Sequence, residues 1–167
     1  MSGLLINPYA FASGGANYTK TGITAQPVIG GETSSFQVGW EFTVGASDIT
    51  VGKLRIYFDR DNPEETLRLW RVSDQALLAS VDITPAANEW VEASLSSAVV
   101  LSASASYVVA TRSKTAASRT YLRRTDVTGL TFASEITHVR SRLLDSDGFP
   151  TSTQAGIRGL TDIVFSS

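Results

Sequence analysis

The chain has 167 residues, with 14 Lys and Arg against 16 Asp and Glu, one histidine and no cysteine. That length suits a single core, and the missing thiols exclude both a disulfide framework and a thiolate metal site. A formal net charge of -2, with scattered bases, gives no long-range field to gather phosphate backbones, so no nucleic-acid partner is expected.

Residues 1–35 open with the apolar patch Leu4, Leu5 and Ile6, followed by Tyr9 and Phe11, and run on through Gly14, Gly15, Gly22, Pro27, Gly30 and Gly31. Their apolar residues keep no steady period, which reads as an extended arm with at most one or two short strands. Two roles are open to it. It is either a lead-in packed on its own domain or an arm that docks on a neighbouring subunit through Leu4, Leu5, Ile6, Tyr9 and Phe11. The N-terminus lacks the basic region and long apolar stretch of a secretory signal, and no segment approaches the length of a membrane span. Neither an export address nor a membrane partner is expected.

From Gln37 the pattern is strict. Val38, Trp40, Phe42 and Val44 alternate with Gln37, Gly39, Glu41 and Thr43, as in a strand with one buried face. After a turn at Gly45 to Asp48, Val51 to Phe58 puts Leu54, Ile56 and Phe58 on one face and Lys53, Arg55 and Tyr57 on the other. A charged loop, Asp59 to Glu65, is broken by Pro63 and reads as exposed. Thr66 to Val72 and Leu77 to Ile83 form a hairpin around Ser73-Asp74-Gln75. Trp90 to Leu95 alternates with Val91, Ala93 and Leu95 on one face, Val99 to Leu101 is brief, and Ser106 to Thr111 has the continuous apolar run of a fully buried strand. Polar residues fill Arg112 to Thr128 around a nucleus at Tyr121 and Leu122. Leu130 to Phe132, Ile136 to Leu144, a loop from Phe149 to Gly159 and a last strand, Asp162 to Phe165, complete the chain. Short strands with a turn signal about every ten residues predict an all-β antiparallel sandwich, with residues 1–35 as the arm and 36–167 as one domain.

Catalytic chemistry finds few candidates in this sequence. His138 is the only imidazole and no Gly-x-Ser-x-Gly elbow accompanies it, so it reads as a structural or surface residue on the strand face of Ile136 and Arg140. One histidine without cysteine cannot assemble a zinc site. No catalytic residue, metal or cofactor is therefore assigned. Asp59, Asp61, Glu64 and Glu65 offer oxygens at the short intervals of a calcium loop or a glycosidase pair, but Arg60 stands among them and a solvated turn is the commoner outcome. Asp145-x-Asp147-Gly148 also starts like a calcium loop, and Gly156 stands where its closing glutamate belongs. Sugar-binding sandwiches stack pyranose faces on exposed aromatics, which makes Trp40, Trp70, Trp90, Tyr57 and Tyr121 worth weighing. Trp40 is in phase with the core. Trp70 is out of phase with Leu67 and Leu69, as Tyr57 is with its neighbours, so Tyr57 and Trp70 are the expected glycan platform.

Leu54-Arg55-Ile56-Tyr57-Phe58, Leu67-Arg68-Leu69-Trp70, Leu77-Leu78-Ala79-Ser80-Val81, Glu89-Trp90-Val91, Tyr107-Val108-Val109-Ala110, Phe149-Pro150-Thr151-Ser152-Thr153 and Asp162-Ile163-Val164-Phe165 follow one another in an order that carries a resemblance. From Val38 to its end the chain resembles a bacterial family of unknown function, a jelly-roll-like β-sandwich appended to secreted surface proteins and polysaccharide-active enzymes. The resemblance implies an accessory role in adhesion or glycan contact and carries over no catalytic residue. Glu89 stands where that pattern has a glycine, and Thr111-Arg112-Ser113-Lys114 replaces an aromatic or proline-rich continuation. The opening Leu-Leu-Ile-Asn-Pro-Tyr-Ala-Phe resembles the openings of phage structural proteins. Together these resemblances imply a bacteriophage virion protein, either a capsid decoration or a small tail protein. Its expected partners are other virion proteins and copies of itself, with a trimer as the natural symmetry. The alternative is an extracellular carbohydrate-binding adhesion module that binds surface glycan.

Overall fold

The computed structural model describes residues 17–24, 32–60, 63–114, 119–124 and 127–167, and these hold strands and turns without a helix. In chain order the strands are β1 (Lys20–Thr21), β2 (Glu32–Ser35), β3 (Gln37–Val44), β4 (Ile49–Phe58), β5 (Glu65–Arg71), β6 (Leu77–Ile83) and β7 (Glu89–Leu101). They continue with β8 (Ser106–Ser113), β9 (Arg119–Arg124), β10 (Ile136–Leu144), β11 (Ser152–Gln154), β12 (Ile157–Arg158) and β13 (Leu160–Ser166). One layer has the order β1-β13-β4-β7, the other β11-β10-β3-β8-β5-β6, and a small third sheet has the order β12-β9-β2. All these pairings are antiparallel. The chain is thus an all-β sandwich.

Period-two patterning explains the layers. Val38, Trp40, Phe42 and Val44 of β3 face inward with Leu67 and Leu69 of β5, and meet Leu54, Ile56 and Phe58 of β4 and Ile163 and Phe165 of β13 in one buried cluster. Two side chains also bond across the layers. The Trp40 indole N–H donates to the Thr161 carbonyl at 2.6 Å, and the Thr161 hydroxyl donates to the Val109 carbonyl at 3.3 Å. Strands β6 and β7 follow each other in sequence, lie at the edges of different sheets and pass side by side, closing one flank of the sandwich. Most other edges are short, which limits edge-to-edge pairing between molecules.

The small sheet is fastened from below by a buried carboxylate. Glu65 is wholly buried, and its Oε2 accepts hydrogen bonds from the Thr111 hydroxyl at 3.0 Å and the Tyr121 hydroxyl at 3.1 Å. Arg119 Nε lies 3.0 Å from Oε1. Burial pushes the Glu65 carboxyl up, and these partners pull it back down. Burial and the neighbouring carboxylate also push the Tyr121 hydroxyl up, so it stays a donor at any ordinary pH.

Several sequence expectations change in detail. Part of the segment read as an arm belongs to the sandwich: β1 pairs with β13, β2 pairs with β9, and Ile23 is buried in the core. Leu4, Leu5, Ile6, Tyr9 and Phe11 lie outside the described residues. The two strands expected at 90–95 and 99–101 are one, β7, because a register shift opposite Val51 and Lys53 lets it continue through Ser96 and Ala98. The expected loop from Phe149 to Gly159 holds β11 and β12, and Leu130 to Phe132 gives only an isolated bridge from Phe132 to Ile23. A bulge between His138 and Arg140 turns Arg140 to the outer face beside Glu41, while His138 stays inward.

Gly39 marks the tightest approach between β3 and β8. A Cβ there would stand 2.1 Å from the Val109 carbonyl oxygen and 2.6 Å from Ala110 Cα, both backbone atoms that cannot swing aside. Gly39→Ala is expected to cost about 1–3 kcal/mol through strand displacement, read as a lower urea midpoint at unchanged m. An unchanged midpoint would mean that the two strands are not so closely packed.

Candidate functional site

The outer face of the four-stranded layer carries the most distinctive cluster. The alternation that buries Leu54, Ile56 and Phe58 turns Lys53, Arg55 and Tyr57 outward, and antiparallel register sets Tyr57 opposite Trp90 and Arg55 opposite both Glu92 and Asp162. Arg55 nonetheless lies buried at 8 % exposure, because its neighbours cover it. Its Nε and Nη2 donate to Asp162 Oδ2 at 2.9 and 2.7 Å, and Nη2 also donates to the Ile23 carbonyl at 2.6 Å. The Ile23 N–H donates back to the same Oδ2 at 2.9 Å. The ion pair therefore holds both backbone groups of Ile23 and fixes the N-terminal lead-in to the sheet. Gly22 permits that approach, since a Cβ there would meet Asp162 Oδ1 at 2.3 Å.

Trp90 closes this cluster from outside. Its ring centroid lies 4.0 Å from the Arg55 guanidinium carbon, within cation–π range, and 5.7 Å from the Tyr57 ring, tilted by 58°. Both aromatics are partly exposed. Beside them Lys53 Nζ and Glu92 Oε2 form an ion pair at 2.9 Å, each side chain 35 % exposed. Burial raises the Asp162 carboxyl to about 6, although Arg55 and the Ile23 N–H pull it the other way.

Trp70 corrects the expected platform. It does point to the outer face of its strand, but that strand is in the other layer, so the structure does not bring it together with Tyr57. It is only 7 % exposed, packed with Val108 and Ala110 and meeting Phe149 edge-on at 6.0 Å between ring centroids. The segment 145–151 folds back over this face. Asp147 pairs with Arg68 and lies 3.6 Å from Arg112, and the Gln37 side-chain amide donates to the Gly148 carbonyl at 2.7 Å. Arg142 Cζ sits 5.4 Å from the Phe149 ring, completing the cover.

The other candidates are accounted for by structural contacts. His138 stacks on Trp40 and Phe132, donates from Nε2 to the Gly156 carbonyl at 3.1 Å, and is held below the usual imidazole range by burial. Glu65 belongs to the core, so it leaves both the calcium set and the pairing with Asp59. Asp59 itself accepts two hydrogen bonds from Arg60, which hold its carboxyl down. Asp61 lies outside the described residues. Asp145 accepts the Ser35 hydroxyl at 2.8 Å, and Asp147 is taken up by its arginines. Among the described residues no three His, Asp or Glu side chains gather as metal ligands. A groove of about 460 Å³ runs between residues 19–24 and 132–135, where Lys20 pairs with Glu135 and holds that carboxyl down to about 2.

A family model described as a domain of unknown function, DUF4082, matches residues 23–157, and the chain belongs to that family. The match begins at the buried Ile23, within the segment read from sequence as an arm. No curated protein matches the chain.

Proposed function

We propose that this member of the DUF4082 family is a non-enzymatic structural component of a bacteriophage particle, a capsid decoration or small tail protein with a jelly-roll-like body, attached through the chain ahead of Tyr18. What supports this reading is the apolar set Leu4, Leu5, Ile6, Tyr9 and Phe11 at the head of the chain, ahead of residues 18–24, which are held on the chain's own sandwich. Ile23 is clipped on both backbone groups by Arg55 and Asp162, β1 is paired to β13, and the Tyr18 ring lies against Gly52. A segment that binds neighbours must pass its load to the body, and these contacts provide that path. Leu4, Leu5, Ile6, Tyr9 and Phe11 then supply apolar area to adjacent subunits at roughly 25 cal/mol per Å² before association costs. The partners are other virion proteins or copies of the chain, and the location is the virion.

Removal of residues 2–16 tests this reading. The shortened chain is expected to keep its β-sheet circular dichroism and thermal midpoint while light scattering falls from an oligomer, with a trimer as the expected form, to a monomer. A full chain that is monomeric and absent from purified particles, or a shortened one that still assembles, would contradict it.

A second reading, a carbohydrate-binding adhesion module acting on a particle or outside cells, is favoured by one observation. The partly exposed Tyr57 and Trp90 rings share one outer face, beside a polar ion pair.

A further inference from the structure

We infer that Trp90 and Tyr57, flanked by Lys53 and Glu92, form a binding site for a hexopyranose unit of a surface polysaccharide. The inference rests on the glycan-binding reading above and gives it a location and a ligand class. Trp90 lies over the Arg55 guanidinium, so one indole face is occupied by the cation beneath it. Arg55 is held in turn by Asp162 and the Ile23 carbonyl, so the support under the ring is itself fixed. A ring seated in this way keeps its outward surface in one orientation and loses little freedom when a ligand stacks on it. Tyr57, tilted by 58° at 5.7 Å, stands beside it as the second wall of a shallow angle.

The polar surroundings match a sugar better than a protein. A pyranose offers an apolar face of C–H groups and a rim of hydroxyls that both donate and accept. Glu92 accepts, Lys53 donates, and each side chain is 35 % exposed, so the pair can exchange its mutual contact for hydroxyls. Glu92 and Ser94, the next outward residues of β7, are exposed and polar, which bounds the apolar area along that strand. That area fits one or two sugar rings and falls far short of the roughly 800 Å² per partner that a stable protein interface buries. The buried Trp40 and Trp70 cannot serve in this way, as both indoles are enclosed by core or loop.

The test uses the full chain and a panel of soluble cello-, chito-, malto- and manno-oligosaccharides, read by calorimetry and by tryptophan emission. Trp90 is the partly exposed indole of the three, so its desolvation on stacking shifts emission to the blue. A member of the panel is expected to bind with that shift. Tyr57→Ala and Glu92→Ala, which leave the Arg55–Asp162 ion pair in place, should each weaken binding about tenfold with the β-sheet circular dichroism of the folded chain retained at the assay temperature. Binding that persists at full strength in both variants overturns the site while leaving the glycan-binding reading standing. Absence of binding to every oligosaccharide by the wild-type chain overturns both.

Discussion

Arg55→Met is expected to lower the unfolding free energy by about 3–5 kcal/mol, with a fall in thermal midpoint of roughly 6–20 °C for a domain of this size. The cause is the group left behind. Asp162 is wholly buried, and without Arg55 its carboxylate is left to the backbone N–H groups of Ile23 and Ile163, while the Ile23 carbonyl is left to the Thr21 hydroxyl and the Trp90 ring loses the cation beneath it. Replacing both members, as in Arg55→Met with Asp162→Leu, removes the orphaned charge and should cost less than the sum of the two single changes. Additive losses would show that the pair does not interact as the geometry requires.

The same pair sets a pH dependence with a definite sign. The Asp162 carboxyl rises from an ordinary value of 3.8 to about 6 on folding, so the folded chain binds the proton more tightly than the unfolded chain. Its contribution to stability is fully present below about 3.8 and is lost as the pH rises through about 6. Thermal midpoints measured from pH 4 to pH 7 should therefore fall more steeply in the wild type than in Asp162→Asn. Parallel profiles would remove this assignment.

Trp40→Ala is the second large effect, expected at about 3–5 kcal/mol. Trp40 is fully buried, lies within 5.3 Å of Phe42, 5.5 Å of Phe132 and 5.9 Å of His138 by ring centroids, and carries the indole bond to Thr161 across the layers. Truncation thus opens a cavity and leaves a buried carbonyl without its donor. Trp40→Phe separates the two contributions, since it retains most of the packing and loses the bond, at about 1–3 kcal/mol. Urea unfolding checks both variants, and a Trp40→Phe loss as large as that of Trp40→Ala would assign the whole effect to the hydrogen bond.

Where one buried face dictates alternation, the sequence is enough to find the strand, as at β3 and β4. What it leaves hidden depends on pairing at a distance. β1 has two residues and β11 is Ser-Thr-Gln, so neither has a local apolar signal, and each exists because β13 or β10 offers it a partner. Glu65 sits in a run of charges and reads as solvated, yet its bonding partners lie 46 and 56 residues away. Trp70 lies on the face of its strand opposite Leu67 and Leu69, as its phase predicts. Its burial comes from Phe149 and the loop around it, which periodicity within one strand cannot reveal. The signal for Trp90 was present, since it is out of phase with Val91, Ala93 and Leu95 in the same way as Tyr57 is with Ile56 and Phe58. Its link to Tyr57 needed the register of β4 on β7.

The segment ahead of Tyr18 holds the apolar residues on which the proposed function depends, and the family match starts only at Ile23. Electron cryomicroscopy of a purified particle carrying this chain would show directly what Leu4, Leu5, Ile6, Tyr9 and Phe11 touch. The sandwich is expected to face outward with residues 1–16 lying on an adjacent subunit. Residues 1–16 folded back on their own sandwich would contradict attachment through this segment.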